Sequence, residues 1–190
     1  MDAATEIVRL APSVDWVIGA GDFAIMRRGL AKTIDVLQTI DRPTLIVPGN
    51  GESLEELQAA CAGWPAVHVL HGTGAQVDGI SVFGIGGAIP KTPFGSWSYD
   101  FSEQQGIEML AACPQQCVLI SHSPPHGIVD RSASGQHLGS KSVRAAIERL
   151  HPRLVISGHI HDSWEQREML GPTLVINAGP RGQRVELAID

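Results

Sequence analysis

The chain predicts an α/β protein built on a mostly parallel sheet. Three observations carry this. Short apolar, β-branched-rich runs recur along it, at Val14-Asp15-Trp16-Val17-Ile18, Leu45-Ile46-Val47, Cys117-Val118-Leu119-Ile120 and Leu154-Val155-Ile156. Segments of roughly helical apolar spacing separate them, and alternating strand and helix implies a parallel sheet covered by helices. Polar side chains of ligand type follow the runs directly: Gly21-Asp22, Gly49-Asn50, His122 and Gly158-His159-Ile160-His161. In open α/β sheets the carboxyl edge of the strands is where ligands bind.

A first helix is expected around Ala3 to Leu10, stopped near Pro12, before the strand that starts at Val14. Ile25, Leu30, Ile34, Leu37 and Ile40 then repeat at roughly helical spacing, which predicts one long helix from about Ala24 to Ile40. Ser53 with Glu56 three residues on reads as a capping box opening a helix through Ala60. Val67 to Leu70 and Gly79 to Ile85 are short strand-like runs parted by Gly and Asp, which predicts an antiparallel segment. Ser102-Glu103-Gln104-Gln105 begins a helix ending near Cys113-Pro114, and Ser140 to Leu150 forms another. Thr173 to Asn177 and Arg184 to Ile189 are expected to close the chain as strands. No repeat, low-complexity segment or linker interrupts residues 1–190, which are expected to form a single domain.

With 43% hydrophobic and 18% charged residues the composition is that of a globular protein. A formal net charge of −6 argues against a surface that tracks nucleic-acid phosphates. A small anionic substrate would need a local positive charge, and a bound metal would supply it. Cys61, Cys113 and Cys117 are an odd count without a CxxC pair, so neither a disulfide framework nor a zinc ribbon is indicated. No apolar stretch approaches the ~20 residues of a membrane helix and no signal-peptide pattern opens the chain, so a cytoplasmic location is expected. A homo-oligomer is compatible with the sequence.

The strand-end residues gather carboxylate, amide and imidazole groups. Each has a plainer role open to it: Asp22 as a helix N-cap, Asn50 as a turn residue in Pro48-Gly49-Asn50-Gly51, a lone His as a packing residue. Taken together, Asp22, Asn50, His122, His159 and His161 favour a metal site. The set has oxygen and imidazole donors and no thiolate, which suits Mn2+, iron or zinc. Such a site lowers the pKa of bound water and clamps a phosphoryl oxygen, as hydrolysis requires. Ser121-His122-Ser123 lacks a Gly-x-Ser-x-Gly elbow, and Gly84-Ile85-Gly86-Gly87 is not a full dinucleotide loop. His126 and His137 lie on a Gly-, Ser- and Pro-rich loop, where His137 is expected to line the site and touch substrate. His68, His71 and His151 read as surface or packing residues.

With these residues assembled, the chain resembles the calcineurin-like metallophosphoesterase family, whose motifs run Asp-x-His, Gly-Asp, Gly-Asn-His, a lone His and Gly-His-x-His. Four of the five are recognisable in order over almost the whole chain. Gly86-Gly87-Ala88-Ile89-Pro90, Thr92-Pro93-Phe94-Gly95, Ser121-His122-Ser123-Pro124-Pro125-His126-Gly127 and Gly158-His159-Ile160-His161-Asp162 look most like a small prokaryotic-type branch. The resemblance implies a four-layer α/β/β/α sandwich with a dinuclear site at the strand ends. It implies that Asp22 bridges the metals, that Asn50, His122 and His159 complete one site, and that His161 belongs to the other. A metal-activated hydroxide would then hydrolyse a small phosphate mono- or diester.

Two departures qualify the expectation. Gly51 stands where the family often has a His after Asn. No Asp-x-His precedes Asp22, so the first strand is expected to be missing and the second metal to lack two ligands. One hypothesis is that the natural protein begins upstream of Met1. The rival is a metal-poor, catalytically impaired member serving as a protein-binding scaffold, as the retromer subunit of this fold does. Substrate selection is expected to rest on residues 88–100 and 126–139, where Trp97 and Tyr99 could stack on a nucleobase.

Overall fold

A computed structural model describes residues 3–187. Period-2 burial sets its layers. In the strand Val118–Ser121, Val118 and Ile120 face one way and Leu119 the other, and both faces are covered. Two sheets result. A three-stranded parallel sheet holds β1 (Val17–Gly19), β2 (Thr44–Ile46) and β3 (Val67–Val69) in that order. A six-stranded sheet runs β4 (Thr73–Val77), β5 (Ile80–Ile85), β6 (Val118–Ser121), β7 (Leu154–Ser157), β9 (Thr173–Asn177) and β8 (Arg167–Leu170). Its β5, β6, β7 and β9 are parallel, and β4 and β8 are antiparallel edges.

The sheets face each other through Leu45, Val82, Val118, Ile120, Leu154, Ile156 and Ile176. Helices α1 (Ala3–Leu10), α2 (Leu30–Leu37) and α3 (Leu54–Cys61) cover the small sheet through Ile34, Leu37, Leu57 and Cys61 against Ile46. Helices α4 (Glu103–Met109) and α5 (Lys141–Leu150) belong to the outer layer of the large sheet, where Val143, Ile147 and Leu150 pack with Leu119, Val155 and Val175. The expected four-layer α/β/β/α sandwich is therefore present. Ser53 and Ser102 each close a capping box on the helix that follows. Among the described residues, no helix is long and apolar enough to cross a membrane.

Three expectations are corrected. The helix read from Ala24 to Ile40 is only α2, because residues 22–29 form a loop with left-handed Met26, Arg27 and Gly29. Arg27 pulls that loop out of helical geometry: its N–H donates to Gly51 O, its Nε to Trp97 O, and its guanidinium pairs with Glu56. The antiparallel segment is β4 with β5, whereas β3 joins β2 in parallel. The strand expected from Arg184 is not formed over 184–187, and its last residues lie outside those described. A strand needs a backbone neighbour. Residues 184–187 and β1 instead line one cleft of about 1260 Å³, and β1 has no strand on its outer side among the described residues.

Candidate metal centre

The turns after β1 and β2 interleave, which only glycine allows. A Cβ on Gly49 would stand 2.1 Å from Asp22 N, and one on Gly21 would stand 2.6 Å from Gly49 Cα. Gly21 has φ +94°, and Asp22 itself takes φ 61°, a conformation Asp tolerates better than most side chains. The N–H groups of Asn50 and Gly51 each donate to Asp22 Oδ1 at 3.0 Å. Beneath them, fully buried Glu52 accepts from Ala24 N–H at 2.9 Å and Gly49 N–H at 2.6 Å, tying both turns to one carboxylate.

His122 follows β6, and its Nδ1 lies 2.7 Å from Ala20 O. A carbonyl only accepts, so Nδ1–H is the donor there, and Nε2 is the ring atom turned towards the site. That atom points at two further acceptors, Asn50 Oδ1 at 3.2 Å and Asp22 Oδ1 at 3.6 Å. Asn50 is turned this way because its Nδ2 donates to Ser98 Oγ at 2.8 Å, and Ser98 donates in turn to Asp100 at 2.5 Å. His159 follows β7 with φ 64°, its ring 4.9 Å from that of His122. Ligand atoms of Asp22, His122 and His159 all lie within 4.8 Å of one another.

The electrostatics suit a cation. Burial and the neighbouring His122 push His159 down to about 3, against a smaller opposing pull from Asp22. Burial alone would raise the Asp22 carboxyl. His122, the Gly51 N–H, His159 and the Asn50 N–H outweigh it and hold the group below its ordinary range. An ionised carboxylate, an amide oxygen and two imidazoles thus converge on one place. Oxygen and imidazole donors gathered this closely, with no thiolate among them, fit a divalent metal.

Asn177, at the end of β9, holds the histidine turn. Its Nδ2 donates to Gly158 O at 3.2 Å and Ile160 O at 3.0 Å, on either side of His159, and to Val129 O at 3.3 Å. Its Oδ1 is buried without a hydrogen-bond partner.

Of the residues singled out in the sequence, the structure brings together Asp22, Asn50, His122 and His159. His161 stands apart on the cleft wall, exposed, its ring 4.5 Å from that of Trp164. His137 is engaged elsewhere, with Nδ1 2.5 Å from buried Asp130 and its ring 5.7 Å from that of His126. Gly51 has no room for a side chain, since a Cβ would stand 2.3 Å from Ala24 O. Glu52, Ser98, Asp100 and Asn177 were not foreseen. Glu52, Ser98 and Asn177 each bind a partner distant in sequence, and Asp100 acts through its neighbour Ser98, so no local pattern marks them.

The sequence model of the family described as metallophosphoesterase, calcineurin superfamily, matches residues 17–183. The UPF0046 protein of Caenorhabditis elegans is 33% identical over 116 residues, which are 59% of this chain and 37% of that protein. The chain thus spans little more than a third of that curated relative. The crystal structure of TT1561 of Thermus thermophilus has a TM-score of 0.73 at 23% identity, covering 93% of this chain and 83% of that one. The sulfate thiohydrolase SoxB of Thermus thermophilus has a TM-score of 0.56 at 15% identity, over 95% of this chain and 38% of that one. These two share the fold. With its family motifs in register at the strand ends, the chain belongs to the metallophosphoesterases of the calcineurin superfamily.

Proposed function

We propose that this chain is a metal-dependent phosphoesterase that hydrolyses phosphate mono- or diesters. One divalent ion, Mn2+ before iron or zinc, would be held by Asp22, Asn50, His122 and His159. The observation that carries this is the convergence of ligand atoms of Asp22, His122 and His159 within 4.8 Å of one another, with Asn50 Oδ1 3.2 Å from His122 Nε2. The ion would supply Lewis acidity to a water and to a phosphoryl oxygen. Asp22 contributes the negative charge, and two backbone N–H groups fix its orientation. Asn50 keeps its oxygen inward through Ser98. Gly51 offers no proton to a leaving group, so His161, the other imidazole lining the cleft with His159, is assigned that contact. His137, held by Asp130, shapes the loop beside it. Cys113 and Cys117 lie as free thiols with sulfurs 3.6 Å apart, which suits a reducing cytoplasm.

The rival scaffold reading draws on one observation: among the described residues, Asp22, His122 and His159 form the only such three-ligand cluster, and His161 is not in it. Calorimetric titration with Mn2+, together with hydrolysis of p-nitrophenyl and bis-p-nitrophenyl phosphate, separates the two. Uptake of one ion with metal-dependent cleavage, both lost in His122→Ala, is expected. A chain that takes up no Mn2+ and cleaves neither ester is a scaffold.

A further inference from the structure

Among the described residues, seven large hydrophobic side chains are exposed, and five of them line the cleft that holds the candidate metal ligands. These are Ile25 at 80%, Met26 at 55%, Phe94 at 51%, Leu138 at 45% and Trp164 at 40%, with only Ile107 and Met169 lying elsewhere. Scattered exposed hydrophobics are ordinary on a protein surface. Their gathering in one concave place is not, because soluble chains keep such patches where something binds. The five come from four loops, Ile25 and Met26 after β1 and the others before α4, before α5 and after β7, so no single segment's composition explains them.

The aromatic part is organised. Trp97 also lines the cleft and lies flat against Phe94, with ring centroids 5.6 Å apart and planes 8° apart. Their loop is tied to the metal centre at two points. Arg27 Nε donates to Trp97 O at 2.6 Å, and Asn50 Nδ2 donates to Ser98 in the chain that continues to Asp100 and Thr92. The platform is therefore fixed relative to Asn50. Trp164 also lines the cleft and lies beside His161.

We propose that the substrate is a phosphoester with an apolar group, alkyl or aryl, which lies over Phe94, Trp97, Leu138 and Trp164 while its phosphate faces the ion that Asp22, Asn50, His122 and His159 would hold. This rests on the phosphoesterase reading and names its substrate class. A nucleobase fits less well. Apart from two indole N–H groups and the weakly accepting Met26 thioether, the six side chains offer only apolar surface, so base-edge recognition would have to come from other residues of the cleft. An alkyl or aryl group asks only for removal from water.

The test uses the whole chain with Mn2+ and follows tryptophan fluorescence during titration with ethyl-, butyl-, octyl- and phenylphosphonate, none of which can be hydrolysed. Burial of a methylene tightens binding by up to about fourfold, so octylphosphonate should bind at least tenfold tighter than ethylphosphonate. Phe94→Ser and Leu138→Ser should each flatten this dependence on chain length. Circular dichroism establishes that both variants fold, and bis-p-nitrophenyl phosphate cleavage follows the reaction separately. Equal affinity along the series, or tighter binding of adenosine monophosphate than of octylphosphonate, overturns the proposal even if the ester is cleaved. So does a dimer in sedimentation that covers the patch and is abolished by Phe94→Ser. Failure of every phosphonate to bind, with no ester cleavage, overturns the phosphoesterase reading along with it.

Discussion

Glu52→Gln is the sharpest probe of how the centre is held. The carboxylate spends one oxygen on Gly49 N–H at 2.6 Å and the other on Ala24 N–H at 2.9 Å, in a fully buried place. Glutamine is almost isosteric, but it must set an amide N–H₂ against one of those N–H donors. One hydrogen bond to a charged acceptor is lost, a loss of about 1.5–3 kcal/mol, and a buried donor is left unpaired at a further cost of about 1–3 kcal/mol. Part is recovered, because Glu52 is itself strained by its setting: burial pushes its carboxyl up, and the nearby Asp22 adds to that against the two N–H groups. A net loss of about 3 kcal/mol corresponds to a fall in Tm of roughly 6–12 °C for a chain of this size. The two turns would separate where Asp22 and Asn50 meet, so Mn2+ affinity should fall with stability. Thermal melts with and without Mn2+, and calorimetric titration of the metal, measure both. If Glu52→Gln melts within about 1 °C of the parent, where roughly 3 kcal/mol predicts several degrees, and binds Mn2+ equally well, the carboxylate is not the clamp.

The remaining perturbations act on neighbouring features. Gly49→Ala places a methyl 2.1 Å from Asp22 N and 2.2 Å from its Oδ1, so it should abolish Mn2+ binding while the far side of the large sheet still folds. Unchanged Mn2+ affinity on titration would contradict the interleaved turns. Acid should also loosen the fold through His71, whose Nδ1 accepts the Gly86 N–H and whose pKa is pushed down by burial against a smaller pull from Glu55. The unfolded chain binds that proton more readily, so the contribution of His71 is complete above about pH 6.5 and declines as pH falls through the lower folded value. Urea midpoints from pH 7.5 to 5 should drop less in His71→Gln than in the parent. A His71 ring signal that titrates at or above 6.5 by NMR removes the basis of this expectation.

The sequence made legible whatever is local. Leu119 and Ile120 alternate across a sheet because side-chain direction has period two, and Ser53 with Glu56 caps α3 because both partners lie within one turn. Strand ends delivered Asp22, Asn50, His122 and His159 to one edge for the same reason: each needs only its own strand and the parallel order. The helical spacing from Ile25 to Ile40 misled because it is blind to Arg27, whose bonds to Gly51, Glu56 and Trp97 reach 24, 29 and 70 residues along the chain.

The groups that aim the ligands belong to that second kind. Glu52 acts on Ala24 across 28 residues, Ser98 on Asn50 across 48, and Asn177 on Val129 across 48. Each is an ordinary polar residue until the fold closes around it. Burial then makes its hydrogen bonds costly to leave unmade, and that cost gives it control over geometry. The metal ligands could therefore be named from strand ends alone, whereas their orientation is a property of the closed fold. Gly51 joins the two. Its lack of a side chain, legible as a departure from the family pattern, is enforced by Ala24 O at 2.3 Å, and Ala24 N–H is one of the two groups bound by Glu52. Restoring a histidine at position 51 would consequently break the clamp before it could supply a proton.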